Sequence, residues 1–75
     1  MKVDQVLDAK GLACPMPIVK TKKAMDQLTS GQVLEVQATD KGAKSDLAAW
    51  TKSKGHILVD VKEENDVLTF WIQKV

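Results

Sequence analysis

The chain contains one cysteine, Cys14, and it stands directly before Pro15 in the segment Cys-Pro-Met-Pro. Proline is well tolerated in the first turn of an α-helix, where backbone N–H groups have no intrahelical acceptor. The two prolines therefore predict that a helix begins here, with Cys14 as its N-cap, Pro15 at N1 and Pro17 at N3. Because a helix N-terminus stabilises a thiolate, we expect Cys14 to be exposed and nucleophilic, with a moderately lowered pKa.

The rest of the sequence restricts what such a thiol can do. A dithiol oxidoreductase needs a second cysteine three positions on, where this chain has Pro17. A cysteine hydrolase needs a positioned base, and the only histidine, His56, is predicted to lie beyond the second helix. One cysteine builds neither an internal disulfide nor a thiolate-rich zinc site, so we expect no metal and no cofactor. What remains is a thiol that carries a group between proteins that supply the rest of the chemistry.

The composition is that of one small globular domain, which we expect to span residues 1–75. The chain is 44% hydrophobic and 28% charged, and its 11 lysines nearly balance 10 acidic residues. Arginine, the residue best suited to bidentate phosphate and base contacts, is absent from the sequence. This balance disfavours direct binding to nucleic acid. Because no stretch has the length of a signal peptide core or a bilayer span, we predict a cytoplasmic protein with no membrane insertion.

Chain breakers and hydrophobic periodicity predict the element order β-α-β-α-β-β. Alternating apolar and polar residues predict strands over residues 3–9, 33–39, 57–62 and 67–75. Helical spacing predicts a first helix over residues 14–28, ended with the help of Gly31, and a second that begins at Asp40 as N-cap and ends before Gly55. The expected fold is α+β, a two-layer sandwich with two helices on one face of a four-stranded mixed sheet.

Each helix has one apolar stripe that should face this sheet. The stripes consist of Ile18, Thr21, Met25 and Leu28 in the first helix and of Ala43, Leu47 and Trp50 in the second. In the last strand Phe70 and Trp71 are neighbours and must point to opposite faces. Since helices cover only one face, one of these two aromatic side chains should lie on the open face.

The segment around Cys14 resembles the pattern of the TusA/SirA-like sulfur carrier family, Asp-x-x-Gly-Leu-x-Cys-Pro-x-Pro. The matching residues are Asp8, Gly11, Leu12, Cys14, Pro15 and Pro17. The resemblance implies a two-layer α/β sandwich in which Cys14 accepts persulfide sulfur from a donor sulfurtransferase or cysteine desulfurase. It also implies that the sulfur passes to an acceptor protein of a sulfur relay, with uses such as tRNA thiolation, cofactor metabolism or inorganic sulfur metabolism. Such a protein is a sulfurtransferase-type carrier and not a self-sufficient turnover enzyme.

One face of the first helix is a candidate docking surface for these partners. Four residues spaced by four, three and four positions lie opposite its apolar stripe and begin beside Cys14: Met16, Lys20, Lys23 and Gln27. We call these residues the lysine stripe. Met16 would supply an adaptable apolar contact, and the lysines would steer the carrier towards an acidic partner. The same pattern is equally typical of an ordinary solvated helix face.

Two other functions remain open on the residues alone. Small two-layer α/β folds also serve as non-enzymatic interaction or regulatory modules, because fold does not fix function. A single exposed thiol also suits a redox sensor that forms mixed disulfides.

Overall fold

The computed structural model describes residues 2–75 and contains six elements in the predicted order. The strands are β1 (Gln5–Ala9), β2 (Val33–Ala38), β3 (Ile57–Glu64) and β4 (Val67–Gln73), and the helices are α1 (Met16–Asp26) and α2 (Ala43–Ser53). The strands form one sheet in the order β1-β2-β4-β3. The predicted α+β sandwich with a four-stranded mixed sheet is confirmed. Neither helix among residues 2–75 has the length and apolar character needed to cross a bilayer.

The sheet is mixed because its strands are joined in two different ways. β1 runs parallel to β2, and α1 forms the crossover between them. β3 and β4 are antiparallel and are joined at Asn65 and Asp66, whose φ angles are 54° and 64°. Two successive positive φ angles are typical of the tight turn that matches the twist of a hairpin, and Asn and Asp tolerate them well.

The core lies between the sheet and the two helices. Its largest fully buried side chains include Phe70, Met25, Leu34, Leu47, Ile72 and Val36. Two buried threonines, Thr21 and Thr51, satisfy their hydroxyl groups by donating to the backbone carbonyls of Pro17 and Leu47, each at 2.7 Å. The helix-facing side of the sheet is therefore closed by apolar packing with no buried side-chain polar atom left unpaired among residues 2–75.

Trp71, and not Phe70, takes the open face of the sheet. Phe70 is fully buried under the helices, whereas Trp71 is half-buried and its indole N–H donates to Oε1 of Glu35 at 2.9 Å. Val6 of the edge strand is 55% exposed. The open face thus carries Trp71, whose indole N–H is bonded to Glu35, and the exposed apolar side chain of Val6.

The first helix is shorter at both ends than its predicted span of 14–28. It begins at Met16 because the N–H of Val19 donates to the carbonyl of Pro15, which makes Pro15 the N-cap. At its other end the ammonium group of Lys74 donates to the carbonyls of Met25 and Leu28, at 2.8 and 2.7 Å. The carbonyl of Met25 also accepts the N–H of Leu28 at 3.1 Å, so Lys74 adds a second donor there and supplies a donor to the carbonyl of Leu28 just beyond the helix.

Gly31 does not cap α1, so the prediction that it helps to end this helix is wrong. With a φ of 89° it lies in the turn that leads into β2, and its N–H donates to the carbonyl of Lys74 at 2.7 Å. The helix has already ended at Asp26, with Gln27 as its C-cap. Gly31 therefore aligns β2 with the end of β4 rather than stopping a helix.

The second helix is capped at its end as predicted but not at its start. Gly42, and not Asp40, is the N-cap, because the N–H of Asp46 donates to the carbonyl of Gly42. At the other end Gly55 has a φ of 76°, which an L side chain rarely adopts. Its N–H donates to the carbonyl of Lys52, and the next N–H donates to that of Thr51, which is the Schellman arrangement.

Candidate functional site

Cys14 lies exposed in the loop between β1 and α1 and is not the N-cap of the helix. It precedes the N-cap Pro15, and the peptide bond between them is cis. The N–H of Met16, at the start of α1, donates to the carbonyl of Ala13 at 2.9 Å. The predicted placement of Cys14, Pro15 and Pro17 at N-cap, N1 and N3 is therefore wrong by one position, since Pro15 is the N-cap and Pro17 is N2.

Two carboxylates from the start of α2 hold Cys14. Its Sγ donates to Oδ2 of Asp46 at 3.3 Å, and its backbone N–H donates to Oδ2 of Asp40 at 3.1 Å. Asp46 belongs to the first turn of α2, and Asp40 lies in the loop that precedes it. The other oxygen of Asp40 accepts a longer bond of 3.4 Å from the N–H of Gly42. Asp40 thus ties the thiol loop to the start of α2 instead of capping this helix.

The pKa of Cys14 is raised, which contradicts the expectation of a lowered value. The largest cause is the hydrogen bond to Asp46, because it stabilises the protonated thiol; desolvation and the charges of Asp46 and Asp40 act in the same direction. The helix dipole of α1 was expected to stabilise the thiolate, but the nearby carboxylates act against it. The resting state of this site is a protonated thiol that donates a hydrogen bond.

The motif residues Asp8 and Gly11 shape the loop that presents the thiol. Asp8 accepts a bond of 3.0 Å from the N–H of Lys10, which closes the turn after β1. Gly11 has a φ of 80°, and its N–H donates to the hydroxyl of Thr39 at 2.9 Å. This second bond joins the loops that follow the neighbouring parallel strands β1 and β2. The loop of Cys14 is therefore anchored at Gly11 as well as at Cys14 itself.

The remaining motif residues fix the base of the same loop. Leu12 packs against the core, and its N–H donates to the carbonyl of Ala9 at 3.3 Å. Pro17 is buried in the first turn of α1, and its carbonyl accepts the hydroxyl bond of Thr21. Pro15 is exposed and contributes the first carbonyl acceptor of the helix. The motif therefore places Cys14 at the surface while its flanks are held by the core.

No local sequence pattern marks Asp46 as part of this site, and Asp40 was expected to be the N-cap of α2. The available signal was topological. Loops that follow two neighbouring parallel strands lie at the same edge of a sheet, so residues after β2 come close to the loop after β1. Nothing in the spacing of Asp40 and Asp46 indicates that both carboxylates turn towards Cys14.

The predicted lysine stripe lies on the exposed side of α1. All four of its residues are exposed, and Met16, the one nearest to Cys14 in the chain, has 40% of its surface accessible. Lys23 lies in the last turn of the helix, so the stripe extends along its whole length. The structure places an apolar side chain and two positive charges on one surface that begins beside the thiol.

His56 lies away from this site. It follows the C-terminal end of α2, whereas Cys14 contacts the first turn of the same helix. Its ring lies against Trp50 with 5.7 Å between the centroids, and its Nδ1 accepts a bond from the N–H of Val75. Among residues 2–75, no three His, Cys, Asp or Glu side chains are grouped so that they could hold a metal ion.

The fold and the site define a class of protein: a small α+β carrier domain that presents one thiol at its surface. Comparison with known sequences gives the family. The family described as Sulfurtransferase TusA matches residues 5–74. The chain belongs to this family and acts as a sulfur carrier in sulfur relay.

Individual relatives agree with this assignment over nearly the whole chain. YrkI of Bacillus subtilis is 72% identical over 74 residues, which cover 99% of each protein. The sulfur carrier protein TusA of Allochromatium vinosum is 48% identical over 71 residues, covering 95% of this chain and 93% of the relative. The crystal structure of a SirA-like protein from Desulfitobacterium hafniense superposes with a TM-score of 0.83 at 27% identity, covering 92% of this chain and 95% of the other.

Proposed function

We propose that Cys14 is the residue that carries the sulfur, as a persulfide. The observation that carries this proposal is that the sequence has one cysteine and that its thiol is exposed. A sulfur carrier of this family needs an atom that forms and breaks a bond to a transferable sulfur. A thiol does this by exchange through a sulfur–sulfur bond, whereas the thioether sulfur of methionine does not. No other side chain in the chain has this chemistry.

The transfer requires no oxidant, because one sulfur–sulfur bond is exchanged for another. The Cys14 thiol gives up its proton to solvent, and the thiolate attacks the outer sulfur of a persulfide on the donor. The bond between the two donor sulfurs breaks, and the donor cysteine leaves as a thiolate that takes up a proton. In the second step an acceptor thiolate attacks the outer sulfur on Cys14, and the Cys14 thiolate is released.

The partners in this proposal are a donor sulfurtransferase or cysteine desulfurase and an acceptor protein of a sulfur relay. The lysine stripe is their docking surface, because its exposed charges and Met16 continue directly from the thiol loop. Long-range attraction between charged surfaces raises association rates, so an acidic partner surface suits it. The relay takes place in the cytoplasm, where thiols are kept reduced, and residues 1–75 act as one domain.

The raised pKa of Cys14 separates this proposal from a redox-sensing thiol. Sensor cysteines have a lowered pKa and react with oxidants as thiolates. The hydrogen bond to Asp46 acts in the opposite direction. A carrier whose partner activates the thiol on docking does not need a reactive thiolate in its free state.

The test is sulfur loading measured by intact mass. The wild-type protein, incubated with a cysteine desulfurase and cysteine, should gain the mass of one sulfur atom, and a reductant should remove it. Cys14→Ser should gain none. Uptake of sulfur by Cys14→Ser would overturn the proposal, and so would a wild-type protein that stays unmodified with several different desulfurases and sulfurtransferases.

A further inference from the structure

The hydrogen bond between the two side chains of Cys14 and Asp46 suggests a second residue that acts in sulfur transfer. We propose that Asp46 is a positioning residue that keeps the empty thiol protonated and opposes the negative charge of the loaded persulfide, so that the carrier holds its sulfur weakly. This inference rests on the proposed role of Cys14 as the carrier residue. It assigns to Asp46 a part in setting the sulfur affinity of that same site.

The geometry fixes the thiol in a donating position. The Sγ–Oδ2 distance of 3.3 Å is within the range of a thiol hydrogen bond, and a carboxylate offers only acceptors to it. The backbone N–H of Cys14 is held by Asp40 at the same helix start, so the main chain cannot easily move the sulfur away. Asp46 is half-buried and is anchored in the first turn of α2. Both ends of the contact are therefore held by the fold.

The charges that act on the thiol are of one sign. Among residues 2–75, the charged side chains that shift the pKa of Cys14 are Asp46 of α2 and Asp40 of the preceding loop, and both raise it. Two lysines lie close to Cys14 in the sequence, Lys10 on the same loop and Lys20 on α1. Neither lysine forms a hydrogen bond with Sγ, and neither contributes to the shift. The negative charge of the thiolate is thus opposed by its surroundings.

Loading with sulfur turns the attraction between Cys14 and the carboxylate of Asp46 into a repulsion. A persulfide is more acidic than the thiol from which it forms, so a loaded Cys14 is largely anionic at neutral pH. An anion has no proton to donate, and the attraction to Asp46 becomes a repulsion between two negative charges. When an acceptor removes the outer sulfur, Cys14 takes up a proton from solvent and its bond to Asp46 forms again. Release of sulfur is therefore favoured by return to the hydrogen-bonded thiol.

The experiment compares the wild type with Asp46→Asn, which keeps the size of the side chain and removes its charge. The first measurement is the rate of iodoacetamide alkylation of Cys14 as a function of pH. We expect the midpoint to move to lower pH in Asp46→Asn, with a rate at neutral pH roughly two- to fivefold higher. The gain is modest because a less basic thiolate is also a weaker nucleophile, so a tenfold larger thiolate population raises the rate only about threefold.

The second measurement is the fraction of protein loaded at equilibrium with a small-molecule persulfide, which requires no docking. Asp46→Asn should hold more sulfur than the wild type at the same persulfide concentration. Asp60→Asn is the matched control, because it removes the same charge from β3, at a position paired with Trp71 of the open face. It should leave both measurements at wild-type values. Asp46→Glu keeps the carboxylate, so the pH midpoint of its alkylation should stay close to that of the wild type. This variant provides a second test if Asp46→Asn folds poorly.

An alkylation midpoint in folded Asp46→Asn that equals or exceeds that of the wild type would overturn the inference. An Asp60→Asn midpoint that shifts as far as that of Asp46→Asn would do the same, since a general charge effect would explain both. These outcomes are distinct from failure of the carrier role itself. If Cys14→Ser takes up sulfur, Cys14 is not the carrier; if only Cys14 loads but Asp46→Asn behaves as the wild type, the inference on Asp46 alone is wrong.

Discussion

The carboxylate of Asp40 accepts a hydrogen bond of 3.1 Å from the backbone N–H of Cys14 and thereby joins the loop before α1 to the loop before α2. The two loops follow β1 and β2, which are neighbouring parallel strands. Together with the bond from the N–H of Gly11 to the hydroxyl of Thr39, this bond sets the distance between the thiol and the helix that carries Asp46. Its loss should affect both the stability of the fold and the position of the sulfur.

Replacement of Asp40 by alanine should lower the free energy of unfolding by about 1 kcal/mol, because the N–H groups of Cys14 and Gly42 lose their acceptor at an exposed site. Urea unfolding followed by tryptophan fluorescence measures this change. Asp40→Asn keeps one carbonyl oxygen that can accept one of the two bonds, so it should lose less. Equal stability of the alanine variant and the wild type would show that the bond contributes nothing.

The raised pKa of Cys14 predicts a pH dependence of stability. The folded protein binds the thiol proton more tightly than the unfolded chain, so the resulting stabilisation is complete below the unfolded pKa and is lost as the pH rises through the folded pKa. The difference in unfolding free energy between the wild type and Cys14→Ser should therefore shrink as the pH is raised from neutral to alkaline values. Urea unfolding of both proteins at a series of pH values, under reducing conditions, measures this difference.

The comparison between the two proteins is necessary because every contribution to the pH dependence of stability other than that of residue 14 is shared by the wild type and Cys14→Ser and cancels in the difference. In an Asp46→Asn background the same difference should vary less with pH. A difference that grows on raising the pH would mean that the thiol pKa is lowered in the folded protein.

Reversing the charge of the lysine stripe should slow sulfur loading by a protein donor. Lys20→Glu combined with Lys23→Glu should reduce the loading rate on the order of tenfold at low ionic strength, because an attraction towards an acidic partner becomes a repulsion. The measurement is the initial rate of mass gain with a desulfurase, at low and at high salt. The difference from the wild type should narrow as salt is added.

A matched double variant, Lys2→Glu with Lys52→Glu, changes the net charge equally at exposed positions away from the thiol loop. It should load at nearly the wild-type rate. A stripe variant that loads like the wild type at every ionic strength would show that α1 presents only a solvated helix face.

Lys74 should be far more important for stability than a typical surface lysine. Lys74→Met removes the ammonium group that donates to the carbonyls of Met25 and Leu28, and we expect a loss of about 1–2 kcal/mol in unfolding free energy. Lys62→Met is the control: it breaks the ion pair of Lys62 with Glu64, whose side chains are each 62% exposed, and it should cost no more than about 0.5 kcal/mol. Thermal and urea unfolding of both variants measure the two losses in unfolding free energy. Equal losses in Lys74→Met and Lys62→Met would contradict the prediction.

The strands could be predicted because they follow from local alternation, and β2 alternates with a period of two. In β4 the alternation required Phe70 and Trp71 to take opposite faces but did not decide which of them is buried. The hairpin followed from a polar run between two apolar segments, although its turn is confined to Asn65 and Asp66. Gly55 was correctly placed because a glycine after a lysine-rich helix end is a strong local signal.

The helix limits and the chemistry of the thiol could not be predicted in the same way, because distant residues determine them. At the end of α1, Lys74 from the last residues of the sequence donates to the carbonyls of Met25 and Leu28. The pKa of Cys14 depends on Asp46, which no local pattern connects to it. The two prolines after Cys14 correctly predicted an exposed thiol. The sign of its pKa shift depends on which side chains contact the thiol in the folded protein.

The bonds that hold Cys14 span 26 residues to Asp40 and 32 residues to Asp46. An isolated peptide that copies the Cys-Pro-Met-Pro segment would contain the motif without either carboxylate, and its thiol should titrate as that of ordinary cysteine. The acidity of this one sulfur atom is therefore a reporter of tertiary structure: it changes only when the chain brings its two helix starts together. Alkylation at fixed pH could follow the folding of this protein without any added label.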